Sequence, residues 1–254
     1  MFPHIVVVDS VIQGQVAWFN LDSTLNDQLN NVDPLRFWGD MERGRDHNRM
    51  DSAALVMDGA RNYLTGFIGR YDSLAISLWF LPMPNYNKLF LFDYGFGQFS
   101  AGLDAITSAT MPRFRMFLQQ DTARWYWTNT LDFYFWHHMY LEIGDTINPP
   151  KLYIDGYMPD TLSRPWRMHP ITDLIYFCRP SNADIMDTLM FRGYIDEIRI
   201  FNKFLKEEEV LSLFWEGITN EKNVKNVKSV KSVKNVKNVK SVKNVKNETK
   251  VKIE

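Results

Sequence analysis

Aromatic residues crowd one short stretch near the middle of the chain. Trp125, Tyr126 and Trp127 are followed by Tyr134 and Trp136 across a predicted turn. Sugar rings stack their C–H faces on exposed aromatic rings, much as bases and cations do. Because alternate residues of a strand face the same side, Trp125 and Trp127 form the expected exposed pair. The pattern predicts a glycan platform of Trp125, Tyr126, Trp127 and Tyr134; the alternative is that alternate members pack in the core or under a loop.

Acidic side chains at predicted loops and strand ends form a second candidate site. Its members are Asp22, Asp27, Asp58, Asp196 and Glu197. Carboxylates from several loops supply the hard oxygen ligands that Ca²⁺ prefers, although no contiguous EF-hand loop is present. We therefore expect Asp22, Asp58 and Asp196 to contribute to a structural calcium site. The alternative is that these residues cap turns, with Asp196 or Glu197 in an ion pair with Arg199 or another basic residue.

The spacings of common catalytic sites are absent from the sequence. It contains no Gly-x-Ser-x-Gly, no phosphate-binding glycine loop and no His/Cys metal spacing. Adjacent strand residues point to opposite faces, so His137 and His138 are expected as one packed and one surface histidine rather than joint metal ligands. Cys178 falls in an apolar stretch and is predicted to be an inert buried thiol. We expect no enzymatic activity.

Short strands separated by turns must position these residues. The candidate strands span 16–21, 54–58, 74–82, 88–94, 113–118, 136–143, 151–154, 174–179 and 191–201. In the candidate strand at 74–82, one face is formed by Leu74, Ile76, Leu78 and Phe80, which is typical of a half-buried strand. Val210, Leu213 and Phe214 have helical spacing within 206–216. The acidic pair Asp196-Glu197 inside an apolar strand indicates a β-bulge or a polar partner. This order predicts an all-β, antiparallel two-sheet β-sandwich with a short C-terminal helix.

The last predicted strand also carries a recognisable signature. Gly193 is followed by the run apolar-Asp196-Glu197-apolar-Arg-Ile-aromatic-Asn202, and then by Leu205 and an acidic helix start. This run resembles the C-terminal signature of laminin G-like, concanavalin A-like jelly-roll domains. Similar segments occur in the expected order through residues 14–217. The resemblance implies a jelly-roll sandwich, a structural calcium held by loop acids, and roles in binding, adhesion or structure, with enzymes in a minority.

Glucanases of the same fold type carry a strand of alternating acids, Glu-x-Asp-x-Glu or Glu-x-Asp-x-x-Glu. Here the stretch Asp196-Glu197-Ile198-Arg199 places an arginine where the alternation needs an acid. Glycoside hydrolysis requires two carboxyl groups that face each other at a defined separation. A glycoside hydrolase is therefore a disfavoured third alternative.

Charge is distributed unevenly along the chain. Residues 221–254 hold eleven lysines and three glutamates, whereas residues 1–220 have a net charge of −9. Residues 223–246 are eight tandem Asn/Ser-Val-Lys triplets, and a period of three matches neither strand nor helix. We predict an N-terminal arm at 1–13, a jelly-roll domain at 14–217 and a disordered basic tail at 218–254. The tail could also contact an anionic surface such as nucleic acid, lipid or an acidic partner.

Cellular location and partners are constrained only loosely. The first residues lack the basic region of a signal peptide, and no apolar run reaches the length of a membrane span. The leading hypothesis is a non-catalytic module that binds a glycan or a glycosylated surface, with calcium. The alternative is a virion decoration or appendage protein in which the jelly roll is a building block of a homo-oligomer or larger assembly. An extracellular or virion-surface setting is expected for both hypotheses.

Overall fold

The computed structural model describes most of the chain between residues 12 and 219. The described residues are 12–84, 88–97, 99–104, 113–118, 121–144, 147, 149–161, 170, 172–181 and 190–219. Of residues 88, 104, 113–118, 121–130, 158–161 and 217–219 the backbone alone is described. Residues 1–11 of the predicted arm and the lysine-rich repeat lie outside the described residues. The division of the chain into arm, domain and tail therefore stays a prediction.

The described residues contain fifteen strands and one helix. The strands are β1 Gln15–Phe19, β2 Arg36–Trp38, β3 Arg43–Gly44, β4 Ala54–Asp58, β5 Tyr63–Phe67, β6 Leu74–Pro82, β7 Lys88–Tyr94, β8 Phe99–Asp104, β9 Arg113–Leu118, β10 Asp121–Thr130, β11 His137–Ile143, β12 Lys151–Ile154, β13 Tyr157–Thr161, β14 Leu174–Phe177 and β15 Arg192–Phe201; the helix is α1 Glu207–Thr219. The predicted class, an all-β sandwich with a short C-terminal helix, is confirmed.

Two antiparallel sheets face each other. Sheet 1 has the order β13-β12-β11-β6-β15-β4-β3, with β1 also paired to β15. Sheet 2 has the order β10-β9-β8-β7-β14-β5-β2. Some neighbours are consecutive in sequence, as in β10-β9-β8-β7, whereas others, such as β6 with β15 and β14 with β5, are distant, so long connections join the strands in the manner of a jelly roll. The chain separates into two units, Met1–Phe214 and Trp215–Glu254, and the sites described below belong to the first.

The core lies between the inner faces of the two sheets. Leu74, Ile76, Leu78 and Phe80 of β6 are buried in it together, which confirms the predicted face of that strand. Residues of sheet 2 that oppose them include Phe92, which meets Phe99 of β8 edge-on at 4.9 Å. Apolar burial of this kind supplies the main driving force for the fold. Cys178 is buried in the same core, as predicted, and burial raises the pKa of its thiol.

Helix α1 covers part of the outer face of sheet 1. Val210 and Leu213 of the helix pack against Tyr140, Tyr153 and Phe201 of the sheet, as the sequence predicts. The helix start is capped because the Glu209 carboxylate accepts a hydrogen bond from the backbone N–H of Lys206 at 2.8 Å. Leu205 precedes the cap and is buried in the same cluster as Val210, which is the arrangement of a hydrophobic staple. Within the described residues, no helix has the length and apolar character needed to cross a membrane.

Strand β15 exchanges one neighbour for another at the predicted bulge. Residues 192–195 pair with β4, whereas residues 198–201 pair with β1, and β6 lies along the other edge. The pairing with β6 shifts between Asp196 and Arg199, and Glu197 has a φ of 48°. The bulge predicted from the acidic pair is therefore confirmed, and it turns Asp196 away from the core where its neighbours Ile195 and Ile198 lie.

Gly193 opens the C-terminal signature for a steric reason. Its φ of +146° is a conformation that residues with a Cβ avoid, and a Cβ built there would lie 2.0 Å from the carbonyl oxygen of Leu81. The neighbouring strand therefore approaches too closely for any side chain. The glycine of the signature is a requirement of the pairing between β15 and β6.

Replacing Gly193 with alanine should lower the free energy of unfolding by about 3 kcal/mol or more, because backbone strain and a backbone clash add together. Gly44→Ala is the matched comparison, since its Cβ would meet the ring of Tyr194, which can rotate away. Urea unfolding of the two variants should show the larger loss for Gly193→Ala. Equal losses would contradict this account of the strand pairing.

Candidate functional site

A groove lies on the outer face of sheet 2, where β2, β5 and β14 run side by side. Alternation along β5 sends Leu64 into the core and leaves Tyr63, Thr65 and Phe67 on the outer face. Trp38 of β2 pairs with Tyr63, and Tyr176 of β14 pairs with Thr65. The register therefore places three aromatic side chains from three strands on one surface.

The groove has the size of a small-ligand site. Its volume is ≈ 430 Å³, within the range typical of ligand pockets. The lining residues are Asp33, Pro34, Arg36, Trp38, Tyr63, Thr65, Gly66, Phe67, Leu174, Tyr176, Arg179 and Ser181. Aromatic faces and a few polar groups thus line the same depression, a combination typical of sites that bind and orient an organic ligand.

The Trp38 and Tyr63 rings form the aromatic surface of the groove. Their planes lie within 8° of parallel and their centroids are 5.7 Å apart. Tyr176 continues the surface, with its centroid 6.4 Å from that of Tyr63. The indole N–H of Trp38 donates to the Thr65 hydroxyl at 3.0 Å, which fixes the ring orientation, while 42% of Trp38 stays exposed. The arrangement can accept the flat C–H face of a sugar ring.

Two arginines contact these rings from either end. The guanidinium carbon of Arg36 lies 5.9 Å from the Trp38 ring centroid, and that of Arg179 lies 4.6 Å from the Tyr63 ring centroid. Both distances fall within the range of cation–π contact. The contacts form a continuous series, Arg36–Trp38–Tyr63–Arg179. The groove consequently combines apolar ring faces with positive charge.

A buried carboxylate organises the loop at one end of the groove. Asp93 of β7 accepts hydrogen bonds from the backbone N–H and the hydroxyl of Ser181 at 2.8 and 3.0 Å. Its other oxygen accepts from the N–H of Gly97 at 2.7 Å. Burial raises the pKa of the Asp93 carboxyl, and these donors counteract part of that rise. Asp93 therefore holds Ser181, and with it the loop after β14, against the sheet.

A second polar cluster lies on sheet 1, at the bulge of β15. Asp46, His47 and Asp196 bring one ligand atom each within 4.8 Å of one another. The Nδ1 of His47 lies 2.9 Å from the Oδ2 of Asp196, and both side chains are almost fully buried. The imidazole is clamped by aromatic rings, since it stacks on Trp79 at 4.4 Å and meets the edge of Trp136 at 5.9 Å. We call Asp46, His47 and Asp196 the bulge cluster.

Negative charge accumulates at the bulge cluster. Burial raises the pKa of Asp196 well above its usual value, and Glu197, Asp46 and Asp22 raise it further. Burial also raises the pKa values of Asp46 and Asp22, and in Asp22 the charge of Asp46 adds to the effect. Carboxylates held this close repel one another when ionised. A divalent cation would relieve that repulsion, and the donor set of carboxylate oxygens with one imidazole nitrogen fits such an ion.

The calcium ligands expected from the sequence do not all lie at this cluster. Asp196 is a member, and Asp22 is near enough to perturb its pKa. Asp58 is the last residue of β4 and pairs with Arg192 of β15. Asp196 lies beyond the other end of the β4–β15 pairing, directly after Ile195, which pairs with Leu55. The Asp58 carboxylate accepts hydrogen bonds from the N–H groups of residues 60–62, which stabilises the turn after β4.

The alternative roles named for the remaining acids are also visible. Asp27 is buried and accepts hydrogen bonds from the N–H groups of Trp18, Leu29, Asn31 and Val32, which makes it a turn cap. Glu197 forms the predicted ion pair with Arg199 at 3.3 Å. The Glu197 carboxylate also accepts from the Trp18 indole at 2.7 Å. These two acids therefore stabilise the first strand and its loop.

The aromatic platform expected from the sequence lies at the opposite edge of sheet 2. Trp125, Tyr126 and Trp127 belong to β10, the edge strand farthest from β2 in the sheet order, and their side chains lie outside the described residues. Tyr134 is 63% exposed in the turn after β10, with a φ of 68°. The glycan-binding role of these four residues stays a prediction.

Sequence reasoning missed the groove and two members of the bulge cluster. Trp38, Tyr63 and Tyr176 each stand alone in sequence, and only the register of three strands brings them together. Asp46 and His47 fall in the segment 39–48, which the sequence suggests is a long surface loop. That interpretation is wrong in part, because β3 lies within the segment and the side chain of His47 is buried. The usable signal was the mixture of acids and a histidine near a short strand.

The expectation for His137 and His138 is also corrected. Both are buried, so neither is the surface histidine predicted. Burial alone would lower the pKa of His137, but the Asp155 carboxylate 2.8 Å from its Nδ1 raises it overall. Burial, and to a smaller extent the charges of Arg199 and His47, together lower the pKa of His138 to about 3. His138 is thus a neutral side chain that hydrogen-bonds to the Ser77 hydroxyl at 2.8 Å.

Comparison with known proteins identifies the class of fold. No family model and no curated protein matches the sequence. Among solved structures, the chain is similar to domain 4 of AbnA, an extracellular arabinanase from Geobacillus stearothermophilus, in complex with arabinotriose. The TM-score is 0.57 at 16% identity, and the match covers 78% of this chain and 97% of that domain. The likeness agrees with the jelly-roll β-sandwich fold described above.

Receptor-binding domains of botulinum neurotoxins are similar as well. The neurotoxin D/C binding domain in complex with SialylT has a TM-score of 0.56 at 15% identity, over 81% of this chain and 52% of that one. A type C neurotoxin structure, from work on cell entry through two ganglioside molecules, has a TM-score of 0.57 at 16% identity, over 80% and 51%. The chain spans about half the length of these neurotoxin structures. At such identities the likeness shows the fold alone.

Acidification should weaken the fold through His138. Its folded pKa lies below its unfolded value near 6.5, so the unfolded chain binds the extra proton first. The contribution of neutral His138 to the free energy of unfolding is fully present above pH 6.5. It falls by up to about 1.4 kcal/mol per pH unit as the pH drops toward 3. His138→Gln should flatten this slope in urea unfolding between pH 6.5 and 5. His137→Gln is the control, since its raised pKa affects stability only above pH 6.5; a slope unchanged by His138→Gln would refute the assignment.

Proposed function

We propose that the chain is a non-catalytic carbohydrate-recognition module whose ligand binds in the groove of sheet 2. The observation that carries the proposal is the parallel pair of exposed Trp38 and half-buried Tyr63 across two strands. Paired aromatic faces on a rigid sheet bind sugar rings with little loss of conformational entropy, because the side chains are already held in place. The similar structures that hold arabinotriose and SialylT support a glycan as the ligand class.

The aromatic residues of β10 offer a second surface for the same function. Trp125, Tyr126 and Trp127 belong to the edge strand of sheet 2 opposite to the groove, and exposed Tyr134 follows in the turn after β10, where its N–H donates to the Pro82 carbonyl of β6. The two surfaces do not share a strand, so substitutions can separate their contributions. We propose the groove as the primary site because its ring geometry is defined, and β10 with Tyr134 as the alternative site.

A glycan array on the full chain should find a ligand, and Trp38→Ala with Tyr63→Ala should weaken its binding by at least about tenfold. The first ligands to test are arabino-oligosaccharides and sialylated glycans. Tyr157→Ala is the control, because this exposed aromatic lies on sheet 1. Circular dichroism should show the fold of each variant intact.

The outcome of the array distinguishes the two surfaces. Binding lost in the Trp125→Ala/Trp127→Ala double variant, but retained in the Trp38/Tyr63 variant, would move the site to β10. Binding unaffected by both would exclude both aromatic surfaces. The assembly function weighed from the sequence, as a structural building block, would then be the better hypothesis.

In addition to the glycan site on sheet 2, the bulge cluster on sheet 1 supports the proposal of a structural metal ion. Asp46 and Asp196 would supply oxygen ligands and Asp22 is near enough to add another, while His47 would supply nitrogen. Ca²⁺, the ion expected from the sequence, and Mn²⁺ prefer carboxylate oxygens, whereas an imidazole nitrogen suits Zn²⁺ better. We propose a divalent cation at this position, which would stabilise the loop 45–53 against sheet 1.

Thermal unfolding with Ca²⁺, Mn²⁺, Zn²⁺ or EDTA tests the metal proposal. An ion at one hundred times its Kd should stabilise the fold by about 2.7 kcal/mol, and Asp196→Asn should abolish that gain. Asp58→Asn is the matched control, and it should keep the gain because Asp58 caps a separate turn. Loss of the gain in both variants, or in neither, would contradict the cluster as the ion site; no gain with any ion would exclude the metal.

A further inference from the structure

We infer that the groove of sheet 2 recognises a glycan that carries a carboxylate, a uronic or sialic acid unit, through Arg36 and Arg179. The inference rests on the proposed glycan-binding function and names the chemical class of its ligand. It starts from the series Arg36–Trp38–Tyr63–Arg179, in which an arginine contacts each of the two stacked rings. A sugar ring on these aromatics would therefore lie between two guanidinium groups.

Within the described residues, no acidic side chain forms an ion pair with the guanidinium group of Arg36 or Arg179. Six other side-chain pairs do form there, such as Arg45 with Asp51. A guanidinium stacked on a ring keeps its N–H groups directed outward in the plane of the group. Those N–H groups match the two oxygens of a carboxylate in a bidentate contact. Ring stacking and anion binding are thus compatible at the same side chain.

The acids near the groove do not neutralise these arginines. Asp93 uses both oxygens on Ser181 and Gly97 and is buried. Asp33 lines the groove and is exposed, but no ion pair joins it to either arginine in the described residues. The groove therefore keeps a net positive charge of one from the residues that line it.

The charge of the groove is opposite to that of the chain around it. Residues 1–220 have a net charge of −9, so an anion approaching most of their surface is repelled. Two arginines at the aromatic groove are an exception to this acidic composition. The positive charge of the groove would attract an anionic ligand, whereas a neutral sugar would gain no affinity from that charge.

A sugar acid satisfies both features of the groove at once. Its pyranose ring presents a C–H face to Trp38 and Tyr63, and its carboxylate projects from the ring toward a guanidinium. Uronic acids carry the carboxylate at C5 and sialic acids carry it at the anomeric carbon, so both present the same chemistry. The structure identifies the shared group, and the binding experiment separates the two sources.

Isothermal titration calorimetry on the full chain tests the inference with two matched ligand pairs. The first pair is oligogalacturonate and its methyl ester, which has the same shape without the charge. The second pair is sialyllactose and lactose. We expect an acid to bind at least about tenfold more tightly than its neutral counterpart, as the loss of a charged hydrogen-bonded contact implies.

Substitutions then locate the contact. Arg36→Gln and Arg179→Gln should each weaken acid binding by about tenfold and lower the ratio of acid to neutral affinity toward one. Arg70→Gln is the control, because this exposed arginine does not line the groove. Asp33→Asn should strengthen acid binding by a fewfold, since it removes the opposing charge. Every variant carries the same lysine-rich repeat, so binding by residues 223–246 is constant across the series.

Each outcome decides the inference. Selective acid binding that Arg36→Gln or Arg179→Gln removes, and Arg70→Gln does not, supports the carboxylate contact. Equal binding of an acid and its neutral partner in the groove overturns the inference and leaves the proposed function standing. Acid selectivity that survives both arginine substitutions overturns it as well. Failure of every glycan to bind overturns the proposed function together with the inference.

Discussion

Strand β15 is hydrogen-bonded along both edges, and the position where one neighbour replaces another determines where polar groups gather on sheet 1. β4 pairs with residues 192–195 and β1 with residues 198–201. Between them the backbone bulges, and Asp196 points away from the core. The segment that follows β3 covers this point with Asp46 and His47. The bulge in β15 thereby brings several carboxylates close together at a buried site of the described residues.

Sheet 2 has the opposite character at its β2–β5–β14 edge. There β2, β5 and β14 pair without a shift of register, so alternate residues align across the strands and form continuous rows. One row places Trp38 beside Tyr63, and the next places Arg36, Thr65 and Tyr176 in line. Regular pairing therefore generates the groove, just as irregular pairing generates the bulge cluster. The two sheets offer different chemistry because one presents aligned side chains and the other a local interruption.

The features predictable from sequence were those that neighbouring residues encode. The face of Leu74, Ile76, Leu78 and Phe80, the docking of Val210, and the bulge at Asp196 all follow from local periodicity and were confirmed. The groove was not predictable, since Trp38, Tyr63 and Tyr176 meet only through the pairing of strands far apart in the chain. The prediction of one surface histidine failed for a related reason. Alternation along a strand places His137 and His138 on opposite faces of the sheet, but it does not show that both faces are buried.

The two edges of sheet 2 differ in their capacity to associate with another chain. β2 is three residues long, and two of its three residues are outward-facing Arg36 and Trp38. Such a short edge offers few backbone groups to an incoming strand. β10 is ten residues long, ends the sheet order at the other side and includes Arg-Trp-Tyr-Trp. In the part of the chain that the structure describes, its outer backbone groups are the longest template for strand addition, so self-association through sheet 2 is favoured at β10 and disfavoured beside the groove.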